Sequence, residues 1–263
     1  MQISTGLSHL LFLNINIYMK VSIITTTYNS AATIKDTLES VNAQIHPNIE
    51  HIIVDGVSKD DTLTLVEKYG KRVSSIISEP DRGIYDAMNK GIEAAMGDVI
   101  GILNSDDFFT STDVISKIVK VFEDSDIDAL YGDVHFVNPD NLEKTVRYYS
   151  SAVFKPSLFR FGFIPSFYMK KSCYEKFGLY SLDYKIASDY DLLIRYLYLH
   201  KIKYKYIKKD FVTMRTGGIS TENVNSRIIL NKEIIKACRR YNLHTNMLLL
   251  SLKYLYKIFE LRK

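Results

Sequence analysis

The sequence predicts an α/β fold: a mostly parallel sheet flanked by helices. Three observations predict it. Apolar runs at 21–26, 49–54, 75–77 and 99–103 alternate strictly with segments of helical period. Such alternation implies parallel strands joined by crossover helices lying on both faces. Several of these runs stop at polar or acidic residues, which a parallel sheet collects along one edge.

The elements follow in order. Residues 21–26 read as a buried strand ended by Tyr28-Asn29-Ser30, and Asn29 or Ser30 can cap a helix with an apolar face of Ile34, Leu38, Val41 and Ile45. Pro47-Asn48 breaks that helix, and a second strand runs over 49–54 to Asp55-Gly56. Ser58 to Asp61 has capping-box spacing and opens a short helix that Gly70 closes. A third strand at 75–77 leads into the loop 79–83, and Ile84, Met88, Ile92 and Ala95 mark the next helix, ended by Gly97. The fourth strand stops abruptly at Asn104-Ser105-Asp106-Asp107.

Beyond this point the pattern loosens. Strands are predicted at 129–131, 134–137, 145–149, 166–169, 204–207 and 211–214, the last two flanking a basic turn at Lys208-Lys209. Helices are predicted at 172–177, from Ser188, over 222–240 and from Asn246 onward. No internal repeat or low-complexity linker interrupts the chain.

Composition narrows the function classes. Hydrophobic residues make up 46% of 263, enough for one large core with a small appendage. A net charge of +4 is too mild for wholesale nucleic-acid binding. Cys173 and Cys238 stand far apart without partner motifs, which points to a reducing compartment and no metal–thiolate site. Residues 7–18 are fairly apolar but too short to span a bilayer, and they lack the basic start and cleavage site of a signal peptide. Residues 1–18 therefore read as a mis-called or loosely attached extension, and the protein as cytoplasmic.

Four polar elements fall at or just after strand ends: Thr25-Thr26-Thr27, Asp55, the 79–83 loop, and Asp106-Asp107. Adjacent carboxylates closing a buried strand offer oxygen ligands of the kind Mg²⁺ or Mn²⁺ prefers. The alternative for them is helix capping, but Thr110, Ser111 or Thr112 stands closer to the helix that begins near Val114. Asp55 can accept from the imide N–H of a pyrimidine base, and Arg82 can pair bidentately with a diphosphate. Neither G-x-G-x-x-G nor G-x-x-x-x-G-K occurs, which argues against dinucleotide and P-loop enzymes.

Taken together, the segments from Val21, Ile52 and Ser78, Leu103 to Asp107, Tyr131-Gly132-Asp133, Ala187 to Leu192 and Met214 to Ser220 resemble family 2 glycosyltransferases. The resemblance runs from about Lys20 past Ser220, with the motifs in order. It implies a GT-A fold and an inverting transfer from a nucleotide-diphosphate sugar, assisted by Mn²⁺ or Mg²⁺. It assigns Thr25, Thr26, Tyr28, Asp55, Arg82 and Ser105 to the nucleotide, Asp106 and Asp107 to the metal, and Asp133 and Arg215 to the acceptor or donor sugar. Asn104 stands where many members carry the first Asp of D-x-D. Asp189 matches the general base and Asp191 is the second candidate; the alternative for Asp189 is a charge at a helix N-terminus. The implied organisation is a transferase domain over 19–220, with a nucleotide half (19–110) and an acceptor half (111–220), and a helical extension over 221–263. Asp55 favours uridine or thymidine diphosphate.

One departure stands out. Relatives with this Met-Arg-x-Gly-Gly pattern often have a His-containing, proline-rich segment where 161–166 is shorter and has no His. This keeps a silent sugar-nucleotide-binding module as a rival to the enzyme; a sugar nucleotidyltransferase is a second rival, without its usual glycine-rich loop. The apolar, lysine-studded tail at 247–259 and the basic cluster at 201–209 suit peripheral contact with the inner face of a membrane and a glycan or polyprenyl-linked acceptor. Packing on the core or in a homodimer is the alternative for that tail.

Overall fold

β-branched and aliphatic runs that are buried on both faces have one stable home, the middle of a sheet covered by helices. In a computed structural model, describing residues 18–151, 153–161, 166–217 and 224–251, three such runs and a largely exposed edge strand form the nucleus of a nine-stranded sheet. They are β1 (Val21–Thr27), β2 (Ile49–Asp55), β3 (Val73–Ser78) and β4 (Val99–Ile102). They lie in the order β3-β2-β1-β4 and are all parallel. The predicted α/β class is the one observed. Past β4 the sheet becomes mixed: β8 (Ser166–Lys170) runs antiparallel to β4 and to β6 (Ala129–Asn138). β6 pairs in parallel with β9 (Tyr204–Arg215), while β5 (Phe108–Phe109) and β7 (Asn141–Tyr149) are antiparallel additions.

Helices cover both faces. Ile34, Leu38 and Val41 of α1 (Ile34–Asn42) and Val66 of α2 (Thr62–Tyr69) pack on one side, with α4 (Val114–Glu123) beside them. On the other side α3 (Ile84–Ala94), α5 (Lys171–Phe177), α6 (Ser188–Leu193) and α7 (Val224–Arg240) share the largest core cluster with Ile24, Ile52, Val54 and Ile100. Gly91 lets α3 approach β1, since a Cβ there would collide with Ile24.

Several local readings are corrected. The first helix starts at Ile34 because the Ser30 carbonyl accepts the N–H groups of Thr33 and Ile34, so neither Asn29 nor Ser30 caps it by side chain, and Ile45 lies beyond its end, exposed. The residues before α2 use no Ser58 capping box: Asp60 takes the N–H of Thr62 at 3.1 Å, while the Ser58 hydroxyl turns to Asp55. Neither Thr110 nor Ser111 caps α4: Thr110 donates to the Asp210 carbonyl and Ser111 to Asp113, while Gln44 Oε1 accepts the Ile115 N–H at 3.1 Å. The separate strands predicted around Gly132 and around Lys208-Lys209 are each one continuous strand, and register shifts absorb the irregular residues. Among the described residues, no helix is long and apolar enough to cross a membrane. The expectations for residues 1–17, for most of the 161–166 segment, for Gly218–Ser220 and for the tail past Ser251 lie outside the described residues.

Candidate active site

Parallel strands deliver their C-terminal ends to one rim, and adjacent strands are about 5 Å apart. Asp55 ends β2, Thr27 ends β1, and the turn 104–107 follows β4, so these stand side by side in strand order. The crossover from β3 brings the N-terminus of α3, with Arg82 and Tyr85 beside it, to the same rim.

The 104–107 turn is held from three directions. The Thr26 hydroxyl donates to the Asn104 amide oxygen at 3.5 Å, the Ser30 and Ser105 hydroxyls lie 2.8 Å apart, and the Thr37 hydroxyl donates to the Asp107 carbonyl at 2.7 Å. Arg215, at the end of β9, closes the fourth side: its guanidinium donates to the Asp106 carbonyl and to the Asp36 carboxylate, over the Phe108 ring.

The two carboxylates differ in environment. Asp107 is buried; burial first, then the neighbouring Asp106 charge, raises its pKa well above the usual carboxylate range, opposed by a hydrogen bond from the Asn104 side chain. Asp106 is half-buried and raised by burial, and among the described residues no side chain donates a hydrogen bond to its carboxylate. A carboxylate left unpaired and penalised for its charge is one that a cation relieves. The pair therefore fits a Mg²⁺ or Mn²⁺ ion. No set of three His, Cys, Asp or Glu side chains converges among the described residues, so diphosphate oxygens and water would have to complete its coordination.

On the β2 side, the Tyr28 ring is 63% exposed and borders Gly56, where a Cβ would stand 2.8 Å from Asp81 Oδ2 and 3.3 Å from the ring. Asp55 has 0% exposure, and its carboxylate accepts from the backbone N–H and hydroxyl of Ser58 and from the hydroxyl of Ser78. These three donors and full burial leave its carboxylate little capacity for a further donor. Thr25 is placed away from the rim: fully buried, it lies 3.0 Å from His51 Nε2 between β1 and β2. That contact engages its hydroxyl inside the sheet and lends no support to its assignment to the nucleotide. Arg82 is exposed and bound to Asp86 at 2.8 Å, so its guanidinium is tethered at the rim without being consumed.

Asp189 opens α6. Its carboxylate accepts the Tyr190 N–H at 2.7 Å and, at 3.3 Å, the Tyr85 hydroxyl, whose one proton is shared with the Ile186 carbonyl at 2.5 Å. Burial pushes Asp189 up to about 6, against the lowering effect of these donors. Because Tyr85 belongs to the first turn of α3, this contact carries Asp189 to the same rim. A cavity of about 260 Å³ opens beside it, lined by Arg82, Tyr85, Leu182, Lys185 and Glu233 among others.

Asp191 is a different case. Two residues along a helix are separated by roughly 200°, and Asp191 points into the protein. It is 1% exposed, 3.0 Å from Arg195 Nε, and accepts from Tyr241 at 3.0 Å. It is a structural ion-pair member, which corrects its reading as a second base. Asp133 is similarly engaged, accepting the Ser151 N–H at 2.8 Å and the Tyr206 hydroxyl at 2.9 Å. The register sets Gly132 opposite Ser166, so Asp133 lies near the rim, two strands from β4. Sequence reasoning missed Tyr85, Asp36 and Glu233; only Tyr85 carried a signal, its place two residues after Gly83.

Comparison with known proteins identifies the family. The family model described as Glycosyl transferase family 2 matches residues 22–182. An uncharacterized glycosyltransferase of Mycobacterium tuberculosis is 33% identical over 181 residues, covering 66% of this chain and 68% of that protein. Staphylococcus aureus TarS 1-349 in complex with UDP-GlcNAc superposes with a TM-score of 0.65 at 18% identity, over 83% of this chain; the chain spans 66% of that one. The mannosyltransferase PcManGT from Pyrobaculum calidifontis, in complex with GDP-Man and Mn²⁺, has a TM-score of 0.62 at 19% identity, covering 85% of this chain and 64% of its own. These structural likenesses speak to the fold. The family match runs through more than half of the chain and through the strand ends, the Arg82 loop and the acidic turn that build the rim, and the chain belongs to glycosyl transferase family 2.

Proposed function

We propose that the protein is an inverting, metal-assisted glycosyltransferase moving a sugar from a nucleotide-diphosphate sugar to a hydroxyl of a glycan or lipid-linked acceptor. The observation that carries this reading is Asp189: a carboxylate with a pKa of about 6, fixed by Tyr190 and Tyr85 at the rim that also holds Asp106. A base poised near neutrality is ionised at working pH yet able to keep the proton it takes. Asp189 would abstract the acceptor proton as the hydroxyl attacks the anomeric carbon from the side opposite the leaving diphosphate.

The nucleotide side divides the remaining work. Tyr28 offers an exposed ring for stacking on the base, Asp55 with Ser58 and Ser78 shapes the base edge, and Arg82 meets the diphosphate. Asp106, with Asp107 in support, would hold a divalent cation, which would supply charge neutralisation for the leaving diphosphate. Uridine or thymidine diphosphate is the favoured donor class; the neighbours crystallised with UDP-GlcNAc and with GDP-Man and Mn²⁺ support a nucleotide-sugar donor and a metal in general terms. Residues 19–110 then form the nucleotide half and 111–220 the acceptor half.

The test is calorimetric titration of UDP and GDP with and without Mn²⁺. Metal-dependent binding of one of them, lost in Asp106→Ala, is the expected result. Unaltered affinity in that variant would remove Asp106 from the metal site.

A further inference from the structure

The loop that delivers Asp189 has no regular structure of its own from Ser181 to Ala187, yet it must hold a carboxylate to fractions of an ångström. A side chain from α7 supplies the missing constraint. Glu233 Oε1 accepts the N–H of Lys185 at 2.8 Å, and Oε2 accepts those of Ile186 at 2.8 Å and Ala187 at 3.0 Å. Three consecutive backbone donors converge on one carboxylate. Lys236 reinforces it one turn later by donating to the Asp183 carbonyl at 3.0 Å.

We infer that Glu233 is a positioning residue for Asp189, acting as an α7 latch on the 185–187 loop and, through the Ile186 carbonyl, on the Tyr85 hydroxyl. The chain of contacts is continuous. Glu233 fixes Ile186, the Ile186 carbonyl takes the Tyr85 hydroxyl, and that hydroxyl faces Asp189 Oδ1. Glu233 lies on α7, outside the segment matched by the family model. The inference rests on the proposed role of Asp189 as base.

Charge gives the latch a second effect. The groups facing Asp189 are Tyr85 of α3, Tyr180 in the preceding loop, the Tyr190 N–H of its own helix and Glu233 of α7. Glu233 is the like charge among them and favours the protonated form, whereas the Tyr85 donor favours the ionised form. Removing each should therefore move the Asp189 titration in opposite directions.

The experiment is carboxyl-carbon NMR titration of Asp189, with amide hydrogen exchange, on the full chain without added ligand. Glu233→Gln keeps the shape but drops the charge and weakens the acceptor. It should lower the Asp189 midpoint and speed exchange at Lys185, Ile186 and Ala187 by on the order of tenfold to hundredfold, with β1 exchange unchanged. Tyr85→Phe should raise the midpoint. Should Glu233→Gln unfold the chain, Tyr85→Phe and Lys236→Ala remain: the former must raise the midpoint and the latter must speed exchange in the loop. An unchanged midpoint with unchanged loop exchange in Glu233→Gln, or shifts of the same sign in Glu233→Gln and Tyr85→Phe, would overturn the latch. Asp189→Asn, assayed for sugar transfer alongside, reports separately on the base itself, so failure of that role shows in a different measurement.

Discussion

Asp189→Asn should make the protein more stable and less active at once. The carboxyl titrates near 3.8 in an unfolded chain and at about 6 in the fold, because burial disfavours its charge. Between these pH values the folded state holds the extra proton, so stability falls as pH rises through the window and stays reduced above it. Two pKa units correspond to about 3 kcal/mol; since part of the side chain meets solvent, about 1–3 kcal/mol is the reasonable range. Asn keeps an oxygen for the Tyr190 N–H and carries no charge to bury. At pH 7 its melting temperature should rise by roughly 2–4 °C per kcal/mol, and the difference from the parent should shrink toward zero below pH 3.8. Turnover should fall on the order of 10²–10⁴-fold. Thermal unfolding across pH 3.5–8, read beside sugar release from a panel of nucleotide sugars with Mn²⁺, measures both. A variant that is destabilised at pH 7, or one that transfers sugar normally, would refute the assignment.

Other outcomes follow from the same contacts. Asp191→Ala leaves Arg195 without its carboxylate, though still bound to the carbonyls of Phe177 and Leu179, and should cost about 2–4 kcal/mol, visible as a lower denaturation midpoint; normal stability would show the pair to be dispensable. Gly56→Ala places a methyl group against Asp81 and Tyr28, so nucleotide affinity measured by calorimetry should weaken with little change in fold stability; unimpaired binding would place the base elsewhere. His51 is fully buried and held neutral, with its pKa lowered to about 3 by desolvation. The unfolded chain protonates below 6.5 while the fold resists, so this site should cost about 1.4 kcal/mol per pH unit below 6.5; His51→Gln should flatten that acid dependence, and an unchanged slope would contradict it.

Much of this architecture was legible in the sequence because its signals are local. The four parallel strands are short, apolar-rich runs between helical segments, and that alternation puts their C-terminal ends on one rim. The placement of Asn104–Asp107, Tyr28 and Arg82 at one rim was legible for the same reason: they lie in the loops that leave β4, β1 and β3. What escaped depends on pairing at long range. Asp191 reads like Asp189 in sequence, and only the helix rotation that turns it onto Arg195 and Tyr241 separates them. Thr25 and Thr26 are neighbours in one strand, yet alternation sends Thr25 toward His51 and Thr26 toward Asn104. Glu233 and Asp36 lie in amphipathic helices where an acidic residue is ordinary; only tertiary packing gives them the 185–187 loop and Arg215 as partners. The continuous β9 through Lys208-Lys209 was missed because a basic pair in an exposed stretch resembles a turn, whereas pairing with β6 keeps it extended.

The most direct test of the central claim, that a bound cation and Asp189 serve one rim, is paramagnetic broadening by Mn²⁺ added with UDP. Resonances of Asn104, Asp106, Tyr85 and Asp189 should broaden together, while those of His51 and Cys173 stay sharp. Broadening confined to residues away from the 104–107 turn, or a broadened Asp106 with an unaffected Asp189, would contradict it.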